Sequence, residues 1–159
     1  MLISPKIEAA FNAQIGHELG NAHQYLAIAA YFQKEALFGL TKIYAQQAEE
    51  ERDHAAKFVK FLLDAGASPR IPAVAEPRND IASAVDAAQL AYDSEIKTTE
   101  QINALVDLAL AERNHVAHNF LQWFVAEQLE EVASADDRLR VIRNAGPTVM
   151  MVEAYLAHQ

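Results

Sequence analysis

The sequence predicts an all-α chain: a four-helix bundle with one long crossover between its second and third helices and a short fifth helix at the end. Three observations carry this. Alanine, leucine, glutamate and glutamine dominate the composition, and all are strong helix formers. Apolar residues recur at helical spacing through four long stretches. Between the second and third of these, residues 67–82 carry Pro69, Pro72 and Pro77, which no helix interior tolerates.

The first helix is expected over 5–35. Ser4 reads as its N-cap and Pro5 as its first residue, and Ile7, Phe11, Ile15, Leu19, Ala22 and Leu26 follow at helical spacing. Gly39 is read as marking a short turn. The second helix, 40–65, carries Ile43, Tyr44, Ala48, Ala55, Phe58, Val59 and Leu62, and Gly66 closes it. The proline-bearing segment is long enough to run the length of a bundle, and structureless connections of that length usually have a purpose. Ser83 and Asp86 open the third helix, 84–110, with a capping-box-like pair. After a polar turn at Glu112–Asn114 the fourth helix covers 116–144, and Ala145, Gly146 and Pro147 end it. Residues 148–157 form the short fifth helix. The whole chain, 1–159, is expected to be one domain. Two tight hairpins joined by one crossover make the second and third helices parallel.

Composition narrows the function classes. At 52% apolar the chain is globular rather than disordered. It has no cysteine, which excludes disulfides, thiolate zinc sites and cysteine-held iron–sulfur clusters and suits a reducing cytoplasm. No basic region followed by an apolar run opens the chain, so no signal peptide is expected. No apolar stretch is long enough to span a membrane. The net charge of −9 argues against nucleic acid as a partner and suits cations.

The chemistry is concentrated in the run from Glu49 to His54. Glu51 and His54 lie three apart, on one helical face, where a carboxylate and an imidazole can grip one ion. An internal repeat strengthens this pair. Glu18, Glu51 and His54 are separated by 33 and 3 positions, and 77 positions later Glu95, Gln128 and Glu131 have the same spacings. Glu50 maps onto Glu127 by the same shift. One such carboxylate taken alone is ordinarily a solvated surface group. Several buried at one level of a bundle require cations between them, because bare buried carboxylates are very costly. A Glu from each of two helices with Glu-x-x-His-type motifs on the others is how bundle-core di-iron sites are built, and mixed oxygen and imidazole ligands suit Fe(II). The second half departs from symmetry, with Gln128 and Glu131 where a second Glu-x-x-His would stand. Glu127, Glu130 and Glu131 share a face, and with Glu50 they make a candidate all-oxygen site for an ion in transit.

These residues, together with the block running from Asn119 through Trp123 to Glu131, make the chain resemble a non-haem bacterial-type ferritin over essentially its whole length. The resemblance implies a first iron site of Glu18, Glu51 and His54 and a partner site of Glu51, Glu95 and Glu131, with Glu51 bridging. Gln128 would hydrogen-bond to the di-iron centre or its bound oxygen. Glu50, Glu127, Glu130 and Glu131 would hold a third iron. Tyr25 matches a tyrosine beside the first site and Trp123 a nearby aromatic. The implied activity is ferroxidase chemistry, Fe(II) oxidised by dioxygen or hydrogen peroxide and stored as ferric mineral inside a 24-subunit shell whose four-fold axis the fifth helix lines. No haem is expected: a bacterioferritin would carry a histidine at Glu131 and its axial methionine at Arg52, and a rubrerythrin-like peroxidase would also want that histidine. A non-catalytic shell subunit would have no need of Glu18, Glu51, His54 and Glu95. The family's three-fold entry channel is often acid-lined, whereas the corresponding stretch here holds His115, His118 and Leu121. His17, His23 and His158 are assigned no role.

Overall fold

A computed structural model describes residues 1–157; His158 lies outside the described residues. Among the described residues five helices follow one another: α1 (Pro5–Lys34), α2 (Phe38–Asp64), α3 (Ala84–Ala111), α4 (His115–Ala145) and α5 (Met150–Leu156). The four long ones form the expected bundle. The local signals act as physical chemistry requires. Ser4 accepts from the Ile7 amide and Pro5 opens α1. Ser83 accepts from the Asp86 amide, while the Asp86 carboxylate accepts from the Ala82 amide. Asn114 caps α4 through the Ala117 amide. Gly66 takes the positive φ of 75° that ends α2.

The first hairpin differs from expectation. Its turn is Glu35–Leu37, with Ala36 at φ 59°, and Gly39 lies inside the first turn of α2. The α5 helix is shorter than expected, because Thr148 and Val149 serve as its approach rather than its first turn.

The crossover lies along α1. Glu8, Asn12, Gly16, Gly20 and Gln24 recur every four residues and so form a single ridge. Glu8 accepts from the Ser68 amide, Asn12 exchanges hydrogen bonds with Ser68 and Arg70, and Gln24 exchanges two with the Arg78 backbone. Between these polar ends, Pro72 sits so close to Gly16 that a Cβ there would approach its Cγ to 2.9 Å.

The interior is two apolar clusters separated by a polar layer. One cluster gathers Tyr25, Ile28, Phe32, Leu40, Tyr44, Leu139 and Ile142, with Ala87, Ala88 and Ala91 of α3. The other gathers Ile7, Phe11, Ile15, Phe58, Leu62, Ile102, Leu121 and Phe124. Between them lie the buried polar residues Gln14, Glu18, Gln47, Glu51, His54, Glu95, Thr98, Gln128 and Glu131. Membership of the clusters pairs the start of α1 with the ends of α2 and α3 and the start of α4, so α2 and α3 run parallel.

Candidate metal centre

The polar layer is set by helical periodicity. On each long helix the apolar stripe facing the interior is interrupted midway by Glu or Gln, and the flanking apolar turns leave those side chains no route to solvent. Glu18 and Glu95 are 0% exposed, Glu51 1% and His54 3%.

Glu18, Glu51 and His54 converge. His54 Nδ1 stands 3.6 Å from Glu51 Oε2 and 3.9 Å from Glu18 Oε2, and the three residues offer ligand atoms all within 4.8 Å of one another. Glu18 Oε2 and Glu51 Oε2 are buried and, among the described residues, receive no hydrogen bond. A buried carboxylate oxygen without a donor is strongly unfavourable, and here two face one imidazole nitrogen. A cation among them satisfies all three, so the donor set fits a divalent metal.

A second convergence shares the same imidazole. His54 Nε2 stands 4.0 Å from Glu127 Oε1, and His54, Glu127 and Glu131 also offer atoms within 4.8 Å. Glu127 is half-buried and Glu131 buried, so this cluster lies nearer the surface. Glu50 is half-buried and accepts from Gln46 at 3.1 Å; its charge reaches Glu131. Glu130 is exposed and stands in neither cluster.

Glu95 is held differently. The Tyr25 hydroxyl donates to Glu95 Oε1, and Gln128 Nε2 donates to Glu95 Oε2 at 3.2 Å and to Thr99 Oγ1 at 3.2 Å. Both Glu95 oxygens are therefore engaged, and positions 95 and 128 meet directly across the second hairpin. Tyr25 thus meets Glu95 of the second half. Trp123 packs edge-on against His54 at 5.5 Å, with Lys57 Nζ 4.6 Å from its ring centre. Among the residues of the expected three-fold channel, Leu121 is buried in the core, and His118 meets the Gln122 amide at 3.2 Å.

Electrostatics reflects the crowding of acids. Burial, followed by the charge of Glu51, holds the Glu18 carboxyl well above the ordinary range. Burial and then Glu95 raise Glu51, burial raises Glu95, and burial and then Glu95 push Glu131 up to about 7. The Tyr25 hydroxyl is raised by burial and by Glu95, so it stays a donor. Protons stand in for metal ions at such a centre, and binding a cation displaces them.

Two residues of the layer that hold candidate ligands, and one beside it, were not singled out from sequence. Gln14 Nε2 donates to Glu18 Oε1 at 2.8 Å, Gln47 Nε2 donates to Glu131 Oε2 at 3.0 Å, and Arg138 donates to Gln47 Oε1 at 3.3 Å. A signal existed: Gln14 and Gln47 each stand four residues before an expected ligand, Glu18 and Glu51, and so keep the same separation of 33.

Comparison with known proteins accords with this geometry. A family model described as a ferritin-like domain matches residues 8–145. Ferritin BfrB of Mycolicibacterium smegmatis is 36% identical over 157 residues, covering 99% of this chain and 87% of that one. A bacterial non-heme ferritin of Staphylococcus aureus is 32% identical over 145 residues, covering 91% of this chain and 87% of that one. The crystal structure of an open-pore ferritin from the hyperthermophilic archaeon Archaeoglobus fulgidus superposes with a TM-score of 0.95 at 35% identity, over 99% of this chain and 98% of that one. With fold, length and sequence all in agreement, the chain belongs to the ferritin family.

Proposed function

We propose that this chain is an iron-storage subunit with ferroxidase activity, whose substrate is Fe(II). The observation that carries the reading is the pair of buried, unpartnered oxygens, Glu18 Oε2 and Glu51 Oε2, facing His54 Nδ1. In this reading Glu18, Glu51 and His54 hold one Fe(II), and Glu51, Glu95 and Glu131 a second. Each Fe(II) gives up one electron, and dioxygen or hydrogen peroxide takes them. The chain fixes the ligands, and the redox chemistry belongs to the metal. Glu95 enters coordination by exchanging its contacts with Tyr25 and Gln128 for the ion, and Gln128 is then a donor toward bound oxygen. Tyr25 and Trp123, against Glu95 and His54 respectively, are candidate electron donors. Glu127 and Glu131, joined by Glu50 and Glu130, form a third site through which Fe(III) passes toward the mineral.

Assembly into a 24-subunit shell within the cytoplasm completes the reading. Met150, Met151 and Tyr155 of α5 are more than half exposed, an apolar face that a neighbouring copy would cover. Among the described residues no helix is long and apolar enough to cross a membrane.

The test is aerobic stopped-flow oxidation of Fe(II) by metal-free protein, beside Glu18→Ala and His54→Ala. A fast phase saturating near about two Fe(II) per chain, absent from the variants, is expected. Oxidation no faster than in buffer, alike in all three proteins, would overturn the catalytic claim. Size-exclusion chromatography with light scattering checks the shell.

A further inference from the structure

We propose that Arg138 and Gln47 form a positioning pair for the metal centre, orienting Glu131 without touching the ion themselves. This rests on the metal-binding reading above. The geometry is a two-step relay across α2 and α4. The Arg138 guanidinium donates to Gln47 Oε1 at 3.3 Å, which turns the Gln47 amide so that Nε2 faces the interior and donates to Glu131 Oε2 at 3.0 Å. An amide whose oxygen is held by a permanent cation cannot flip without losing that contact. One Glu131 oxygen is therefore tied, and the other is left for an ion.

The internal repeat says why the pair exists on one side only. By the 77-residue shift His54 maps onto Glu131, so the second half has a carboxylate where the first has an imidazole. That change adds a negative charge to a layer already holding Glu18, Glu51 and Glu95. The positions equivalent to Gln47 and Arg138 are Phe124 and Phe61, and neither can supply a donor. The amide and the cation thus occur only where the extra acid does. Arg138 is also kept for this contact: its neighbours Asp136 and Asp137 both pair with Arg140. Gln47 is 4% exposed, so its amide has no ready exchange with water, and its hydrogen bonds set its orientation. Arg138 itself faces a cavity of about 320 Å³ shared with Val152, Tyr155 and Leu156 of the last helix. It approaches Gln47 from outside the centre and is no ligand.

Co(II), redox-silent and coloured according to its coordination, is the probe. Metal-free wild type, Gln47→Met, Arg138→Leu, Arg138→Lys and the double variant Gln47→Met/Arg138→Leu are titrated anaerobically, with visible absorbance and calorimetry followed together. The ion that uses Glu131 is expected to bind about tenfold or more weakly in Gln47→Met and Arg138→Leu, with an altered visible envelope, as removal of outer-shell partners generally does. The ion at Glu18, Glu51 and His54 keeps its affinity and colour. Because Arg138 acts through Gln47, the double variant is expected to match Gln47→Met alone rather than the sum of the two. Arg138→Lys, which keeps the charge and packs with little disturbance, falls between wild type and Arg138→Leu. Variants that bind the second ion as wild type does, or effects that simply add, would overturn the pair while leaving the metal centre intact. A wild-type chain that takes up no Co(II) would overturn the metal reading, and the pair with it.

Discussion

Asn21 Nδ2 donates to Thr98 Oγ1 at 2.8 Å, and the two residues are separated by the same 77 positions that relate Glu18 to Glu95. Repeat-equivalent positions therefore touch each other where α1 crosses α3, one turn from Glu18 and Glu95, the candidate ligands of the two halves. The contact pins the level of one hairpin against the other, and with it the level of the carboxylates. Thr98 is buried and also donates to the Ser94 carbonyl. Thr98→Val keeps the shape but leaves the Asn21 donor without its acceptor, at an expected cost of about 1–2 kcal/mol. Urea unfolding of the metal-free protein measures it; an unchanged midpoint would mean that the contact does not hold the halves in register.

The pH dependence of the metal-free protein follows from its buried acids. Glu18, Glu51 and Glu95 are raised by burial, and Glu131 is pushed up to about 7. The folded chain thus keeps protons that the unfolded chain has lost once pH exceeds the ordinary carboxyl value of about 4.5. More protons on the folded state means stability falls as pH rises. The fall begins near that value and continues through about 7 for Glu131. Tm of the metal-free protein is expected to drop from pH 5.5 to pH 7.5, while a bound divalent ion, which takes the place of the protons, flattens or reverses the slope. Parallel slopes with and without metal would contradict the assignment of these four acids to one ion-binding layer.

Much of this was legible in the sequence, and the parts that were not have physical reasons. The helices were readable because their apolar stripes and caps are local signals: Ser4, Ser83 and Gly66 act within a few residues of themselves. The pairing of Glu51 with His54 was readable because residues three apart share a helical face, and Glu18 was drawn in by the 33-residue spacing that recurs in the second half. Gln14, Gln47 and Arg138 were not singled out, since a helical Gln or Arg looks like a solvated surface residue until a neighbouring helix is placed over it. Glu130 is the exposed member of the face it shares with Glu127 and Glu131. It lies three residues from Glu127, yet the roughly 100° step between it and Glu131 leaves it exposed while Glu131 is buried. Gly39 was misread as a turn because its reason for being glycine lies 114 residues away.

The ridge on α1 makes two neighbouring glycines respond in opposite ways. A Cβ at Gly16 meets the Pro72 ring at 2.9 Å, whereas one at Gly20 stands 3.4 Å from a Val74 methyl, an ordinary contact. Glycine within a helix costs about 1 kcal/mol relative to alanine, and overpacking costs about 1–3 kcal/mol. Gly20→Ala is expected to raise Tm. Gly16→Ala is expected to lower it and to speed proteolysis within residues 67–82 as the crossover is lifted. The two thermal shifts, compared side by side, decide whether the crossover is seated on this ridge.

The last helix is fastened by one carboxylate. Glu153 accepts from the Gly39 amide at 2.6 Å and from the Leu40 amide at 3.0 Å. The α2 helix has no cap of its own, since Leu37 occupies the N-cap position without a side-chain acceptor. Its first free amides are satisfied instead by α5, and the negative charge lies at the positive end of the α2 dipole. Gly39 permits this approach, because a Cβ there would come within 2.9 Å of Glu153 Oε2. Glu153→Ala therefore removes a cap and a tether together. The loss of the cap is expected to cost about 1 kcal/mol, and hydrogen exchange should accelerate at the Gly39 and Leu40 amides and throughout residues 150–156, with the polar layer unaffected. Gly39→Ala should reproduce the exchange pattern while leaving the carboxylate in place. If Glu153→Ala speeds exchange only within α5, the cap is dispensable and Val152, buried against the bundle, is what holds the helix down.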